Sequence, residues 1–194
     1  MAIVKTSRLD IYFEESGTGS PLLLISGTGG DLRAKPSLLE NPLTNFYHVI
    51  AYDQRGLGQT EKPEGPYTMF DYADDAAELL IKLGHDKVDV IGVSFGGMVA
   101  QHLTIRHPHM VNKLVLCCTS PGGDLPSYPF HELSEDLTPV ERMLKLISIS
   151  DTRRDQAWQD ENPDAVNEMI AYTEENVISD HATPISRRGA RLQL

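Results

Sequence analysis

The stretch that most constrains the fold of this chain is residues 88–100, where a short apolar run changes abruptly into a helical pattern. The first half is rich in β-branched side chains, which favour a strand, and the second half has the spacing of a helix. Ser94 stands at the junction, surrounded by Gly92, Gly96 and Gly97. Because glycine has no Cβ, it allows backbones to approach closely at such a turn. We therefore predict a strand, a tight turn and a helix in immediate succession.

The junction fits the pattern G-x-S-x-G, in which a sharp strand-to-helix turn raises a serine hydroxyl above the end of a sheet. Ser94 is then a candidate catalytic nucleophile, and Gly92, Gly96 and Gly97 are the glycines of the elbow. The helix N-terminus after the turn would present free N–H groups and partial positive charge to an anion above the serine. The alternative interpretation is a glycine-rich turn whose serine only caps the helix.

Strands and helices alternate along the first 120 residues. An alternating pattern over residues 3–14 predicts an antiparallel opening hairpin. A helix is predicted to begin at Thr68, which with Asp71 resembles a capping box, and to end at Gly84. Largely apolar runs predict further strands over residues 22–25, 47–52, 88–93 and 113–118. The alternation predicts an α/β fold with a mainly parallel sheet wrapped by helices.

The composition of the chain changes after Thr119, where several prolines interrupt a loop and no strand-like run follows. Helical patterns instead cover residues 139–149, 152–160, 163–177 and the chain from residue 186 onward. We predict two domains, a core over residues 1–120 and a helical lid over residues 121–194.

The charge of the chain argues against nucleic acid as a partner. Seventeen basic residues stand against 28 acidic ones, the net charge is −11, and the basic residues form no cluster. Binding to nucleic acid and to anionic membranes depends on cationic contacts, so neither is expected. The N-terminal residues lack the apolar core of a signal peptide, and no segment is long enough to span a bilayer. A cytoplasmic location is expected.

The cysteines and histidines give no sign of a metal or a disulfide. Cys117 and Cys118 are adjacent on a predicted strand, so their side chains point to opposite faces. We expect them to pack in the core in a reducing compartment. Neither a metal-ligand spacing of histidine and carboxylate nor a phosphate-binding loop is present, so the sequence implies no metal and no cofactor.

Three motifs, in this order, resemble the α/β-hydrolase fold superfamily. They are Ser26-Gly27-Thr28-Gly29-Gly30 after the first apolar strand, Asp53-Gln54-Arg55-Gly56-Leu57-Gly58 after the next, and Gly92-Val93-Ser94-Phe95-Gly96-Gly97. The run from Gly96 to Gln101, with Arg106-His107-Pro108 and Leu114-Val115-Leu116, is similar to the enol-lactonase and small carboxylesterase branch. The resemblance covers nearly the whole chain.

The resemblance implies a serine hydrolase without a cofactor. Ser94 would attack the carbonyl of a small ester or lactone. The backbone N–H groups of Thr28 and Phe95 would form the oxyanion hole. Ser26 stands where the family usually has a histidine, so hydrogen bonding around that loop must differ. We expect Asp53 and Arg55 to form an ion pair that fixes their turn and takes no part in the chemistry.

The family's triad continues from serine to an acid and then to a histidine, each after a later strand. Only one strand is predicted after Ser94, so the last two strands are expected to be absent, as in a truncated, split or alternatively spliced hydrolase. Most histidines are predicted to lie away from the serine. Position leaves only His131 and His181 open as bases, and Asp124 as an acid in an alternative arrangement.

Because a serine without a base is a weak nucleophile, we expect this chain alone to turn over esters slowly or not at all. Three functions stay open at this point: an ester or lactone hydrolase acting through an acyl-serine, an acyltransferase or perhydrolase with the same elbow, and a non-catalytic protein that binds a small ligand. An uncovered strand after the elbow would also allow a homo-oligomer.

Overall fold

The structure is a computed structural model that describes residues 2–122 and 136–175. The first range belongs to one compact unit and the second to another, and each is described by itself. Within residues 2–122 there are six strands and two α-helices: β1 (Ala2–Lys5), β2 (Asp10–Ser16), β3 (Ser20–Ile25), β4 (Tyr47–Tyr52), α1 (Met69–Lys82), β5 (Val88–Val93), α2 (Phe95–Arg106) and β6 (Val111–Cys117).

The six strands form one sheet in the order β1-β2-β4-β3-β5-β6. Strand β2 pairs antiparallel with β1 and with β4, whereas β3 pairs parallel with β4 and β5, and β5 pairs parallel with β6. The prediction of a mainly parallel sheet that opens with an antiparallel hairpin is confirmed. Because the parallel strands run in one direction, the loops that follow β3, β4, β5 and β6 leave from the same edge of the sheet.

Helix α1 has the ends that the sequence predicts. The Thr68 hydroxyl accepts from the backbone N–H of Asp71 at 3.2 Å, and Asp71 accepts from the Thr68 backbone at 2.8 Å. At the other end Gly84 has φ +81°, which favours glycine, and the His85 N–H donates to the Leu80 carbonyl at 2.9 Å. Both predicted ends of this helix are confirmed.

The expected ion pair between Asp53 and Arg55 is wrong. Asp53 instead accepts from the backbone N–H groups of Leu32 at 2.7 Å and Gln59 at 2.8 Å. The longer side chain of Arg55 reaches helix α1 and donates to both carboxylate oxygens of Asp75, at 2.5 and 2.7 Å. Both members of this second pair are buried, so it is part of the core.

The expectation that both cysteines pack in the core is also wrong. Strand β6 ends at Cys117, which is half-buried, and Cys118 is exposed with φ +41°. The backbone therefore turns out of the sheet one residue earlier than the apolar run suggested, and this turn directs Cys118 toward solvent.

The second unit consists of helices in the part that the structure describes: α3 (Pro139–Ser150), α4 (Gln156–Glu161) and α5 (Pro163–Glu175). Helix α3 begins with a capping box between Thr138 and Glu141. The helix predicted from residue 186 onward lies outside the described residues. Within residues 2–122 and 136–175, no helix is long and apolar enough to cross a membrane.

Candidate active site

Ser94 lies at a strained bend between β5 and α2. Its backbone has φ +53° and ψ −121°, a region that residues with a side chain rarely adopt and that costs about 1–3 kcal/mol. Its side chain makes no capping hydrogen bond to the helix. The simple helix-cap interpretation therefore fails. Ser94 is half-buried, and its hydroxyl makes no hydrogen bond within the part of the chain that the structure describes.

The glycines of the elbow are required by close contacts. A Cβ on Gly92 would lie 2.5 Å from the Gly96 carbonyl oxygen and 2.8 Å from the Ala100 Cβ. A Cβ on Gly96 would collide with the carbonyl oxygens of Ile25 and Ser26. The absence of a side chain at Gly92 therefore lets α2 pack against β5, and its absence at Gly96 lets α2 start directly against the end of β3.

Gly97 has the same function on the other side of the elbow, where a Cβ would lie 2.5 Å from the Thr119 Cβ. The Thr119 hydroxyl donates to the Ser94 carbonyl at 2.7 Å, and the Ser94 N–H donates to the Cys117 carbonyl at 2.9 Å. Two bonds from the end of β6 thus fix both sides of the Ser94 residue. They hold the serine in its strained conformation.

The loop after β3 lies against the serine. A Cβ built on Gly27 would lie 3.2 Å from the Ser94 Cβ and 3.8 Å from its hydroxyl oxygen. Thr28 is the next residue and is exposed. A turn bond from the Gly30 N–H to the Gly27 carbonyl, 3.1 Å long, closes this loop. The structure therefore places the loop that contains Thr28, a predicted donor of the oxyanion hole, next to Ser94.

Two side chains from the end of β4 hold this loop in place. The buried Gln54 side chain donates through Nε2 to the Ser26 carbonyl at 2.8 Å, and Asp53 accepts from the Leu32 N–H. Burial raises the pKa of Asp53, although the backbone donors of Gln59 and Leu32 act in the opposite direction. A loop fixed at both ends can present N–H groups without reorganising when charge develops.

The second predicted donor, Phe95, is the first residue of α2, where backbone N–H groups have no partner within the helix. Its buried ring packs edge-to-face on Tyr72, with the ring centroids 5.2 Å apart, which anchors the start of the helix. The roles of Thr28 and Phe95 as an oxyanion hole stay predictions.

None of the five histidines within the described residues contacts the Ser94 hydroxyl. His107 Nε2 lies 2.9 Å from Asp74, and the ring of His102 packs on Phe70. His48 and His85 lie at the opposite edge of the sheet, and His109 contacts the ring of His107. The candidates His131, His181 and Asp124 lie outside the described residues.

Sequence reasoning missed two residues that support the site. Gln54 was seen only as part of a glycine turn, although a polar side chain directly after a buried strand is a signal for such a role. Thr119 carried no signal, because its hydroxyl reaches Ser94 only when β6 has paired with β5. Both act through backbone carbonyls of the site.

This arrangement coincides with a known family. Residues 20–148 match the family model described as the alpha/beta hydrolase fold. The chain therefore belongs to the α/β hydrolase fold family.

Among curated proteins, the 2-hydroxymuconate semialdehyde hydrolase of Pseudomonas sp. (strain CF600) is 38% identical over 105 residues, covering 53% of this chain and 37% of that protein. The poly(3-hydroxyalkanoate) depolymerase of Ectopseudomonas oleovorans is 37% identical over 104 residues, covering 54% and 36%. This chain spans less than half the length of the curated relatives that it matches.

Solved structures give the same fold. A thermophilic esterase from Thermogutta terrifontis has a TM-score of 0.68 at 26% identity, covering 99% of this chain and 71% of that one. The enol-lactonase from Burkholderia xenovorans LB400 has a TM-score of 0.67 at 20% identity, covering 98% and 73%.

Proposed function

We propose that the protein hydrolyses a small carboxylic ester or lactone through an acyl-serine intermediate on Ser94. The observation that carries the proposal is the strained Ser94 backbone, whose hydroxyl makes no cap and has no partner among the described residues. A fold keeps strain of this kind only where surrounding contacts enforce it, and such positions cluster at functional sites. A helix cap would need no strain.

In the proposed reaction, the Ser94 oxygen attacks the carbonyl carbon and passes its proton to a general base. The base returns this proton to the leaving oxygen as its C–O bond breaks. Water that gives a proton to the same base then attacks the acyl-serine, which releases the carboxylic acid and restores the Ser94 hydroxyl. The N–H groups of Thr28 and Phe95 would stabilise the oxyanion, and loss of one such donor lowers the rate by about 10²–10³. We place the base outside the described residues: the family resemblance implies a histidine after a later strand than this chain contains, and His131 and His181 are the alternative candidates within the chain.

The ester or lactone substrate class has support from the solved relatives, which include an esterase and an enol-lactonase. The loop that carries the exposed Thr28 lies beside Ser94, as the proposed oxyanion hole requires. The substrate itself stays a proposal, because this chain spans only part of those proteins.

A fluorophosphonate probe tests the nucleophile directly, since it forms a stable adduct with an activated serine. We expect mass spectrometry of the labelled chain to place one adduct on Ser94, even if ester turnover is slow. Ser94→Ala should remove the adduct, whereas the control Ser120→Ala should keep it. An adduct at another residue would contradict the proposal, as would an unlabelled Ser94 in a longer version of the protein that also contains the base.

Product analysis separates hydrolysis from acyl transfer. With an aryl ester as donor, we expect the free acid as the main product when an alcohol or hydrogen peroxide is also present. Predominant transfer to the added acceptor would instead assign an acyltransferase or perhydrolase, the alternative with the same elbow.

A further inference from the structure

A cluster of three ligand-type side chains lies at the edge of the sheet opposite Ser94. Glu15 is near the end of β2, His48 is near the start of β4, and His85 follows α1. Their carboxylate oxygen and imidazole nitrogens all lie within 4.8 Å of one another. We propose that Glu15, His48 and His85 bind one transition-metal ion of the Zn²⁺ class, independently of the function of Ser94.

The sheet register brings Glu15 and His48 together. Glu15 pairs with Ile50 across the antiparallel β2–β4 ladder, and His48 is two residues before Ile50. The two side chains are therefore diagonal neighbours on one face, within reach of long side chains. His48 Nε2 lies 3.1 Å from a Glu15 carboxylate oxygen.

The end of helix α1 places the third ligand. Gly84, with φ +81°, and the bonds Gly84 N–H to Ile81 carbonyl and His85 N–H to Leu80 carbonyl form a Schellman motif. The backbone of His85 is thereby fixed next to β4. Its ring centroid lies 5.8 Å from that of His48, with the planes tilted by 57°. The ligand is positioned before any ion binds.

The distances suit a tetrahedral ion. Zn²⁺ binds imidazole nitrogen and carboxylate oxygen at about 2.0–2.2 Å, so two ligand atoms around it lie about 3.4 Å apart. The pair formed by Glu15 and His48, at 3.1 Å, is close to this value, and no separation in the cluster exceeds 4.8 Å. The largest separation must shorten by up to about 1.4 Å for all three atoms to surround one ion.

The chemistry of the ligands selects the class of ion. Two imidazoles and one carboxylate are a borderline nitrogen and oxygen set, which suits Zn²⁺, Co²⁺ and Ni²⁺ better than Mg²⁺ or Ca²⁺. Both histidines are half-buried and Glu15 is exposed, so an ion can enter and keep water at a fourth position. A plain ion pair between Glu15 and His48 would not need His85, and this difference makes His85 the decisive residue.

An ion held by these residues would connect β2, β4 and the segment after α1, which are far apart in the chain. The unfolded chain has no such preformed site, so binding must stabilise the folded state. We therefore expect the melting temperature of the metal-free chain to rise when Zn²⁺ is added.

The test uses the 194-residue chain without an affinity tag, treated with a chelator and titrated with Zn²⁺ by calorimetry and with Co²⁺ by absorption. We expect one saturable equivalent and a Zn²⁺-dependent rise in melting temperature. His48→Gln, His85→Gln and Glu15→Gln should each weaken binding at least about tenfold. His109→Gln, a histidine outside the cluster, should bind as the unchanged protein does.

Several results would overturn the proposal: no saturable binding, Mg²⁺ bound as tightly as Zn²⁺, or His85→Gln that still binds one equivalent with unchanged affinity. Melting curves without metal check that each variant is folded. If His85→Gln does not fold, His85→Asn replaces it and is judged by the same criterion. Equal loss of binding in His109→Gln would place the ion elsewhere and would also overturn the assignment.

Discussion

The two edges of the same sheet are built in different ways. At the edge with Ser94, backbone packs on backbone so closely that Gly92 and Gly96 have no space for a methyl group. At the opposite edge, the half-buried side chains of His48 and His85 meet the exposed Glu15, and a Cβ on Gly84 would meet nothing within 4 Å. The first edge stores strain in a fixed geometry, whereas the second tolerates change.

The largest expected effect concerns the ion pairs at the two edges. Arg55→Met would leave the buried Asp75 with one partner fewer, and breaking a buried pair costs about 3–5 kcal/mol. At the opposite edge, Glu15→Gln should lower the free energy of unfolding by less than about 1 kcal/mol. Urea unfolding of both variants, without metal, measures the difference. Similar losses would mean that the edges do not differ in this respect.

The next effect concerns the space available for a side chain at a glycine of each edge. Gly96→Ala would press a methyl group against the carbonyl oxygens of Ile25 and Ser26, and we expect a loss of about 3 kcal/mol. Gly84→Ala is the matched control, because its site is open and only its positive φ is penalised, by about 1 kcal/mol. The free energy of unfolding of each variant in urea gives the comparison. A larger loss for Gly84→Ala would contradict it.

Release of strain should have a smaller effect of the opposite sign. Ser94→Gly places glycine in a conformation that suits it, so we expect a net gain of about 1 kcal/mol after the extra entropy of glycine in the unfolded chain. Ser94→Ala keeps the strained backbone and should give no such gain. Thermal melts of the two variants distinguish them. A gain in Ser94→Ala alone would show that the backbone is not the source of strain.

The smallest effect is the pH dependence of stability that Asp74 on α1 contributes. Partial burial raises the pKa of Asp74, but hydrogen bonds from Arg106 and His107 lower it by more, so the net shift of this pKa is downward. A lowered pKa gives stability that is present above the unfolded value, about 3.9, and is lost as pH falls through the folded value. Asp74→Asn should therefore lose less stability than the unchanged protein between pH 5 and pH 3, by under about 1 kcal/mol. Urea unfolding at both pH values measures this difference, and equal losses would show that Asp74 does not contribute.

The sequence predicts the features that depend on local chemistry. The capping box at Thr68 and the stop at Gly84 follow from neighbouring residues, and both are present. The elbow at Ser94 follows from glycine spacing and strand-to-helix patterning. These features need no knowledge of which strands become neighbours.

The features that the sequence could not give depend on pairing between distant segments. Arg55 was assigned to its neighbour Asp53 because sequence distance was the only guide, whereas the fold gives it Asp75 on α1. The cluster of Glu15, His48 and His85 has no regular spacing and exists only through the β2–β4 register and the end of α1. The support of Ser94 by Thr119 likewise requires that β6 lie beside β5.

Because the Thr119 hydroxyl donates to the Ser94 carbonyl, the orientation of Ser94 depends on the end of β6 as well as on β5. Removal of the Thr119 hydroxyl would free the Ser94 carbonyl from this bond. The orientation of Ser94 can therefore be altered from the end of β6, without a change in the strand or the helix that flank the serine. Directed evolution of the protein would do well to sample position 119 on its own.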